Sequence, residues 1–365
     1  MVFEILIQSL SLQRLPQNCM LGVLGMFLLT IISFKNEENI LIPNFRVNLR
    51  PAVTYGFEDG RRFNRSSMRE IQRNVSAYMK RWEAVQVFRS DISWRKISVS
   101  HTEKELKARN QTHTISKQYQ CALVGNSGIL LDSRCGDVID RFKFVIRMNL
   151  APCGGEFKRD VGSKVDLDTF NWDQLERLLT CTDTYYPPEA KCNTTDQVCL
   201  QKREEKYGTP REALDCDDLL DRLKRANGTT LWYFKKIGNI AAFRRLLGVL
   251  KPKYNIDIHF AYSPRSLMGP ATKAFKIEFP SSGLALYSAA TQFCHKIYMF
   301  GFYPLPRDPN NRTIQHHYYE VIDMNHTENV HNMPSEYQVF LRLNRTGTIG
   351  LINDCRGLYS KSNWW

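Results

Sequence analysis

The run Cys121-Ala-Leu-Val-Gly-Asn-Ser-Gly-Ile-Leu constrains the fold more than any other stretch of the chain. Apolar residues end abruptly at Gly-Asn-Ser-Gly, and an apolar periodic stretch follows. That pattern predicts a buried parallel strand turning sharply into a helix over 129–140. Such a turn aims free backbone N–H groups, and the positive end of a helix dipole, at an anion above the strand end. A nucleotide phosphate is the natural guest. A plain strand–helix bend without ligand is the alternative, because short glycine-rich turns are weak motifs on their own.

Further strands and helices alternate from Gln120 onward. Strands are expected at 121–124, 144–148, 165–170, 231–234, 256–261 and 296–300, and helices at 240–250, 284–294 and 335–343. The alternation predicts an α/β fold with a Rossmann-like, doubly wound, mostly parallel sheet. The chain has 365 residues, 43% of them hydrophobic, enough for one large domain with appendages. Its net charge of +13 is spread along the sequence. No nucleic-acid motif accompanies that charge, whereas anionic sugars, sugar nucleotides and acidic membrane surfaces all suit it.

Residues 19–34 carry no charge and lie between Arg14 and Lys35. No small-x-small cleavage site follows Phe34, so the segment reads as an uncleaved signal anchor behind a cytoplasmic tail of residues 1–18. Eight N-x-S/T sequons follow it, at Asn64, Asn74, Asn110, Asn193, Asn227, Asn311, Asn325 and Asn344. They place the rest of the chain in a glycosylating, oxidising lumen, where cysteines read first as disulfides. Residues 35–110 are weakly patterned and read as a stem, with the main lumenal domain at 111–365. Cys181, Cys192, Cys199 and Cys216 mark an insertion, 181–216, with two local disulfides whose pairing stays open. Cys153 is left over.

Asn126, Asn149 and Asn171 stand at the ends of three successive strands, where the ligand crevice of an open α/β sheet lies. Asparagine suits phosphate oxygens and sugar hydroxyls, though capping turns is its commoner job. Residues 121–171 resemble the long sialylmotif of animal sialyltransferases. Phe279-Pro-Ser-Ser-Gly-Leu through Gly301-Phe-Tyr-Pro is similar to the short one, His317-Tyr-Tyr-Glu to the third, and His331-Asn-Met-Pro-Ser-Glu336 to the very short motif. Cys135, the Tyr-Tyr-acidic third motif and Cys355 resemble the α-2,8-sialyltransferase branch.

The resemblance implies a GT-A-like variant of the Rossmann fold, a type II Golgi membrane protein, and CMP-sialic acid as donor. It implies the disulfides Cys121–Cys294 and Cys135–Cys355, each closing a loop long enough to contribute roughly 4–5 kcal/mol. It also implies His331 as general base and His317 as the partner of the leaving phosphate. Asn126, Ser127, Gly128, Asn149 and Asn171 would hold phosphate or sialate, and Ser281, Ser282 and Gly283 the ribose and base. No metal or other cofactor is expected, since the donor carries its own phosphate leaving group. Glu336 is expected to support the start of its own helix.

The expected partners are a sialylated glycolipid (as in ganglioside biosynthesis) or glycoprotein acceptor and the Golgi membrane, with a homodimer possible and no nucleic acid. Basic residues before the short motif are sparse, which favours mono- or oligosialylation. The competing readings are transfer to galactose or N-acetylgalactosamine, and an inactive sialoglycan-binding relative.

Overall fold

The computed structural model describes residues 63–210, 215–321 and 331–356. The apolar segment 19–34, Asn325 and His326 lie outside the described residues, and among the described ones no helix is long and apolar enough to cross a membrane.

Nine strands form one sheet: β1 (Gln86–Phe88), β2 (Thr112–His113), β3 (Gln118–Val124), β4 (Phe144–Arg147), β5 (Leu167–Phe170), β6 (Thr230–Lys236), β7 (His259–Ser263), β8 (Cys294–Phe300) and β9 (Ile349–Ile352). Their order is β2-β1-β7-β6-β5-β4-β3-β8-β9. β3 to β9 all run parallel, while β1 pairs antiparallel with both β2 and β7. The longer helices are α1 (Arg65–Ser76), α2 (Trp172–Cys181), α3 (Gln197–Tyr207), α4 (Cys216–Arg225), α5 (Ala241–Tyr254), α6 (Ser282–Ala290) and α7 (Met333–Arg345). The doubly wound, mostly parallel α/β sheet expected from the alternation is present.

Successive residues of a strand face opposite sides of its sheet. On β3, Cys121 and Leu123 enter one core layer while Ala122 and Val124 enter the other, and all four are buried. A strand covered on both faces needs a continuous apolar run, which is what the sequence supplies at 121–124.

Two expectations are corrected. Residues 129–140 are not one helix but a short 3-10 turn (Gly128–Leu130), a loop, and a five-residue helix (Gly136–Asp140). Asp132 and Arg134 have φ of +64° and +56°, the left-handed region that no α-helix admits. The buried Asp160 carboxylate holds them there, accepting both of their N–H groups at 2.9 Å. The described part of the expected stem is also built into the fold. Met68, Val75 and Met79, on or just after α1, join Ala84, Val85 and Val87 in the same buried core as β3 and α6. Gln72 of α1 donates to the carbonyls of Thr291 and Cys294, and β1 extends the sheet beyond β7. The folded body therefore includes residues 64–110.

Four disulfides are formed. Cys121–Cys294 ties β3 to β8, and Cys135–Cys355 ties the segment after β9 to the loop after β3. The insertion pairs in nested fashion, Cys181–Cys216 outside Cys192–Cys199. Cys153 is buried and free, and burial pushes its thiol pKa up. The first bond closes a 173-residue separation, worth about 5 kcal/mol in the chain-entropy account. Replacing both Cys121 and Cys294 by serine should lower the unfolding free energy by about 2–5 kcal/mol. Denaturant titration of the two forms checks this, and an unchanged midpoint would contradict it.

Candidate active site

From β3 the chain steps through β4, β5, β6 and β7 to one side, then returns to place β8 and β9 on the other. At such a switch point the loops leaving adjacent strands diverge and open a crevice at the carboxyl ends. The crevice here has a volume of about 970 Å³ including its open mouth. It is lined by Gly125, Asn126 and Ser127 after β3, Met148 and Asn149 after β4, and Gly301 to Pro304 after β8. Ser281 to Gly283 and Met333 to Phe340 bring in the amino ends of α6 and α7, and His316, His317 and His331 complete the wall.

The Gly-Asn-Ser-Gly turn does not offer the expected ring of free donors. Gly125, Ser127 and Gly128 give their N–H groups to the carbonyls of Phe300, Gly301 and Gln315 at 2.7, 3.2 and 3.0 Å. The Ser127 hydroxyl donates to the Tyr303 carbonyl at 2.7 Å and accepts from Ile129 N–H. Gly128 lies off the wall, packed so that a Cβ would sit 2.7 Å from the Gln315 carbonyl. What the turn presents is the Asn126 side chain, steadied by its amide N–H on the Met148 carbonyl at 3.3 Å. The helix start facing the crevice is that of α6 instead, where Ser281 caps Leu284 N–H.

Asn149 sits in a left-handed turn with Leu150, at φ of +58° and +52°. Thr169 Oγ1 accepts Asn149 N–H at 3.1 Å, and Asp168 Oδ1 accepts Leu150 N–H at 3.2 Å. The Asn149 Oδ1 atom is buried and has no hydrogen-bond partner, an acceptor that a bound hydroxyl or amide would satisfy. Asn171 does not join it: its side chain caps α2 by accepting Gln174 N–H at 2.9 Å. Asn171 is not among the residues lining the crevice.

Both candidate catalytic histidines are held by one nitrogen. His331 Nδ1 lies 2.9 Å from the Phe279 carbonyl, and His317 Nδ1 lies 2.9 Å from Glu320 Oε2. A carbonyl oxygen only accepts, so His331 Nδ1 carries the hydrogen and the neutral ring keeps its lone pair on Nε2. The His317 hydrogen bond holds the Glu320 carboxyl below the usual carboxylate range. Tyr319 stacks on His317, with centroids 5.2 Å apart and planes 13° apart.

Glu336 is not a cap of its own helix, since Asn332 caps α7 by accepting Ser335 N–H. It reaches across to α6, accepting Ser281 N–H at 2.6 Å and the Ser281 hydroxyl at 2.5 Å. Burial raises its pKa against the pull of those two bonds and of His331. The carboxylate thus locks the short-motif helix to the segment that carries His331. Sequence reading missed this because the two partners lie 55 residues apart.

Residues 66–348 match the family model for glycosyltransferase family 29 (sialyltransferase). The chain belongs to that family. A human relative, alpha-2,8-sialyltransferase 8F, is 31% identical over 234 residues, which cover 64% of this chain and 52% of the relative. The aligned stretch thus spans about half the length of that curated relative. A crystal structure of a mammalian sialyltransferase aligns with 79% of this chain and 79% of its own, at 17% identity and a TM-score of 0.38. The crystal structure of a mammalian sialyltransferase in complex with Gal-beta-1-3GalNAc-ortho-nitrophenol gives 17% identity, the same coverage and a TM-score of 0.37.

In this sialyltransferase-family chain, all four motif-like segments contribute to one crevice or to its supports. Just beyond the insertion, Arg222 of α4 lies over the Tyr319 ring, 4.8 Å from its centroid.

Asp168 supplies a pH test of the wall that holds Asn149. It is buried, and desolvation outweighs the nearby Arg147 charge and its backbone N–H donors, raising its pKa from 3.8 to about 7. A carboxyl with a raised folded pKa contributes stability that is full below the unfolded pKa and is lost as pH rises to the folded one. The contribution should therefore fall by about 4 kcal/mol at most between pH 4 and pH 7. Asp168→Asn removes that titration. Unfolding free energies of the two proteins should converge or cross as pH rises through this window, and a constant difference would refute the assignment.

Proposed function

We propose that this chain transfers sialic acid from CMP-sialic acid to the sialic acid of a sialylated acceptor, forming an α-2,8 linkage with inversion. The observation that carries the reading is the pair of histidines on one crevice wall, each anchored through Nδ1. With Nδ1 engaged, Nε2 is the nitrogen available for chemistry.

His331 Nε2 takes the proton from the acceptor hydroxyl as its oxygen bonds to the anomeric carbon of the donor. The bond from that carbon to the phosphate oxygen breaks on the opposite face, which inverts the centre. Its electron pair leaves on CMP, and His317 donates a hydrogen bond to that phosphate through Nε2, its ring oriented by ionised Glu320. Charge separates in this step, so pre-oriented groups around the two ends contribute most to the rate. Asn126 and Asn149 suit the donor's phosphate and sialate, and Ser282 and Gly283 at the start of α6 suit its ribose and base. No step calls for a metal ion.

The rest of the reading concerns place and partners. An anchor at 19–34 with residues 1–18 cytoplasmic would set the folded body in the Golgi lumen. The acceptor would be a glycolipid or glycoprotein, and addition of one or a few sialic acids fits the sparse basic residues before the short motif. Among the described sequons, Asn64, Asn74, Asn110, Asn193, Asn227 and Asn311 are exposed, as a glycosylated lumenal surface requires. Asn344 is half-buried, and its side chain accepts Leu351 N–H at 3.0 Å.

Incubating the full chain with CMP-sialic acid and matched sialylated and desialylated acceptors tests the linkage class. Product is expected on sialylated acceptors only, with no effect of EDTA; product on desialylated acceptors alone would sink the α-2,8 reading. His331→Ala should lower turnover about 10²–10⁴-fold, the range for a lost general base, while CMP affinity persists. Near-normal turnover would remove His331 from that role.

A further inference from the structure

Phe279 stands out among the exposed residues. Its side chain is 76% exposed, and its backbone adopts φ of +48°, the left-handed region. For an aromatic residue that conformation is strained, and exposure of the ring forgoes the stabilisation of burial. Two unfavourable features at one position, beside a reacting group, point from the outlier toward function.

One return on the strain is already visible. The twisted backbone turns the Phe279 carbonyl onto His331 Nδ1 at 2.9 Å. Glycine would deliver the same carbonyl with less strain, so orienting His331 does not account for the ring. The next residues explain why the segment is fixed. Pro280 is rigid, and Ser281 is clamped through both N–H and hydroxyl to Glu336. The ring is therefore mounted on the same short, rigid segment that orients the imidazole.

Its position limits what it can meet. A Cα atom lies about 2.4 Å from its own carbonyl oxygen by standard bond lengths. The Phe279 Cα is thus within roughly 5 Å of His331 Nδ1, given the 2.9 Å hydrogen bond. An acceptor hydroxyl must come within about 3 Å of Nε2 to lose its proton there. By distance, the sugar bearing that hydroxyl, or the next one along, comes within the span of a side chain mounted on that Cα. Pyranoses have an apolar face of C–H groups, and an aromatic ring offers that face a rigid, flat, apolar partner with only two side-chain torsions to order.

We propose that Phe279 is an acceptor platform, whose ring receives the apolar face of the acceptor glycan beside the hydroxyl that His331 deprotonates. The proposal rests on His331 being the base. It makes Phe279 a residue that sets acceptor affinity and leaves the donor untouched.

Steady-state kinetics of the full chain with Phe279→Ala and Phe279→Trp, using sialyllactose as a lipid-free acceptor, provide the test. Phe279→Ala should raise the acceptor KM about tenfold, equivalent to 1.4 kcal/mol. The donor KM and the pH–rate profile should stay as in the unchanged protein, because the backbone carbonyl on His331 is retained. Phe279→Trp should restore the acceptor KM. An unchanged acceptor KM in Phe279→Ala overturns the proposal, as does a matched rise in donor KM, which would mean a general disturbance of the fold. A loss seen only with a lipid-linked acceptor also overturns it, since the ring would then be meeting lipid. Failure of the parental chain to transfer to any acceptor strikes the proposed function instead, and is told apart because it needs no variant.

Discussion

Gly125 and Gly301 pass so closely that neither strand end could carry a side chain. A Cβ on Gly125 would lie 2.8 Å from the Gly301 carbonyl, and one on Gly301, at φ of +69°, would strike Leu130. This contact lies where β3 and β8 leave the sheet, with Gly125 N–H donating to the Phe300 carbonyl at 2.7 Å. Everything at the crevice is built from it. Asn126 follows Gly125 on the crevice wall, and Phe302 follows Gly301 with its ring 5.5 Å from that of Phe340 on α7. The glycines of the opening motif serve close backbone approach more than anion binding.

Around this contact, the site is held by cross-links between segments distant in sequence. Cys121–Cys294 fixes the two strands, Glu336 fixes α6 to α7, and the Phe279 carbonyl fixes His331 to the short motif. Catalytic groups placed by hydrogen bonds from rigid neighbours need little reorganisation when charge develops. Asp168 and Thr169 do the same for Asn149 from the neighbouring strand end. Burying the Asp168 carboxyl is unfavourable near neutral pH, so this wall is held at some cost to stability.

Much of this was legible in the sequence because parallel strands buried on both faces leave unbroken apolar runs. All six strands expected from such runs are present, at Cys121, Phe144, Leu167, Leu231, Phe260 and Ile297. The strands that went unseen are short or at the edge. β1 has three residues, β2 has two, and β9 is interrupted by Gly350, too little for period or length to register. The helix expected at 129–140 failed because Asp160, 20 residues beyond its end, holds two of its residues left-handed. Gly128 and Asn171 looked like ligands by position, yet neither lines the crevice: Gly128 is closely packed and Asn171 caps α2. Sequence locates strand ends well, but which atoms at those ends are already engaged depends on partners from elsewhere in the chain.

The Cys135–Cys355 bond has a consequence in time. Its partners are separated by 220 residues, and synthesis proceeds at about 5–20 residues per second, which leaves Cys135 waiting roughly 10–40 s for its partner. Throughout that interval Cys153, Cys181, Cys192, Cys199, Cys216 and Cys294 emerge as rival thiols. The nested pair in the insertion can close early, over separations of 35 and 7 residues, and so withdraws four of those rivals before Cys355 appears. Once those four are paired, fewer free thiols compete for Cys135 when Cys355 arrives.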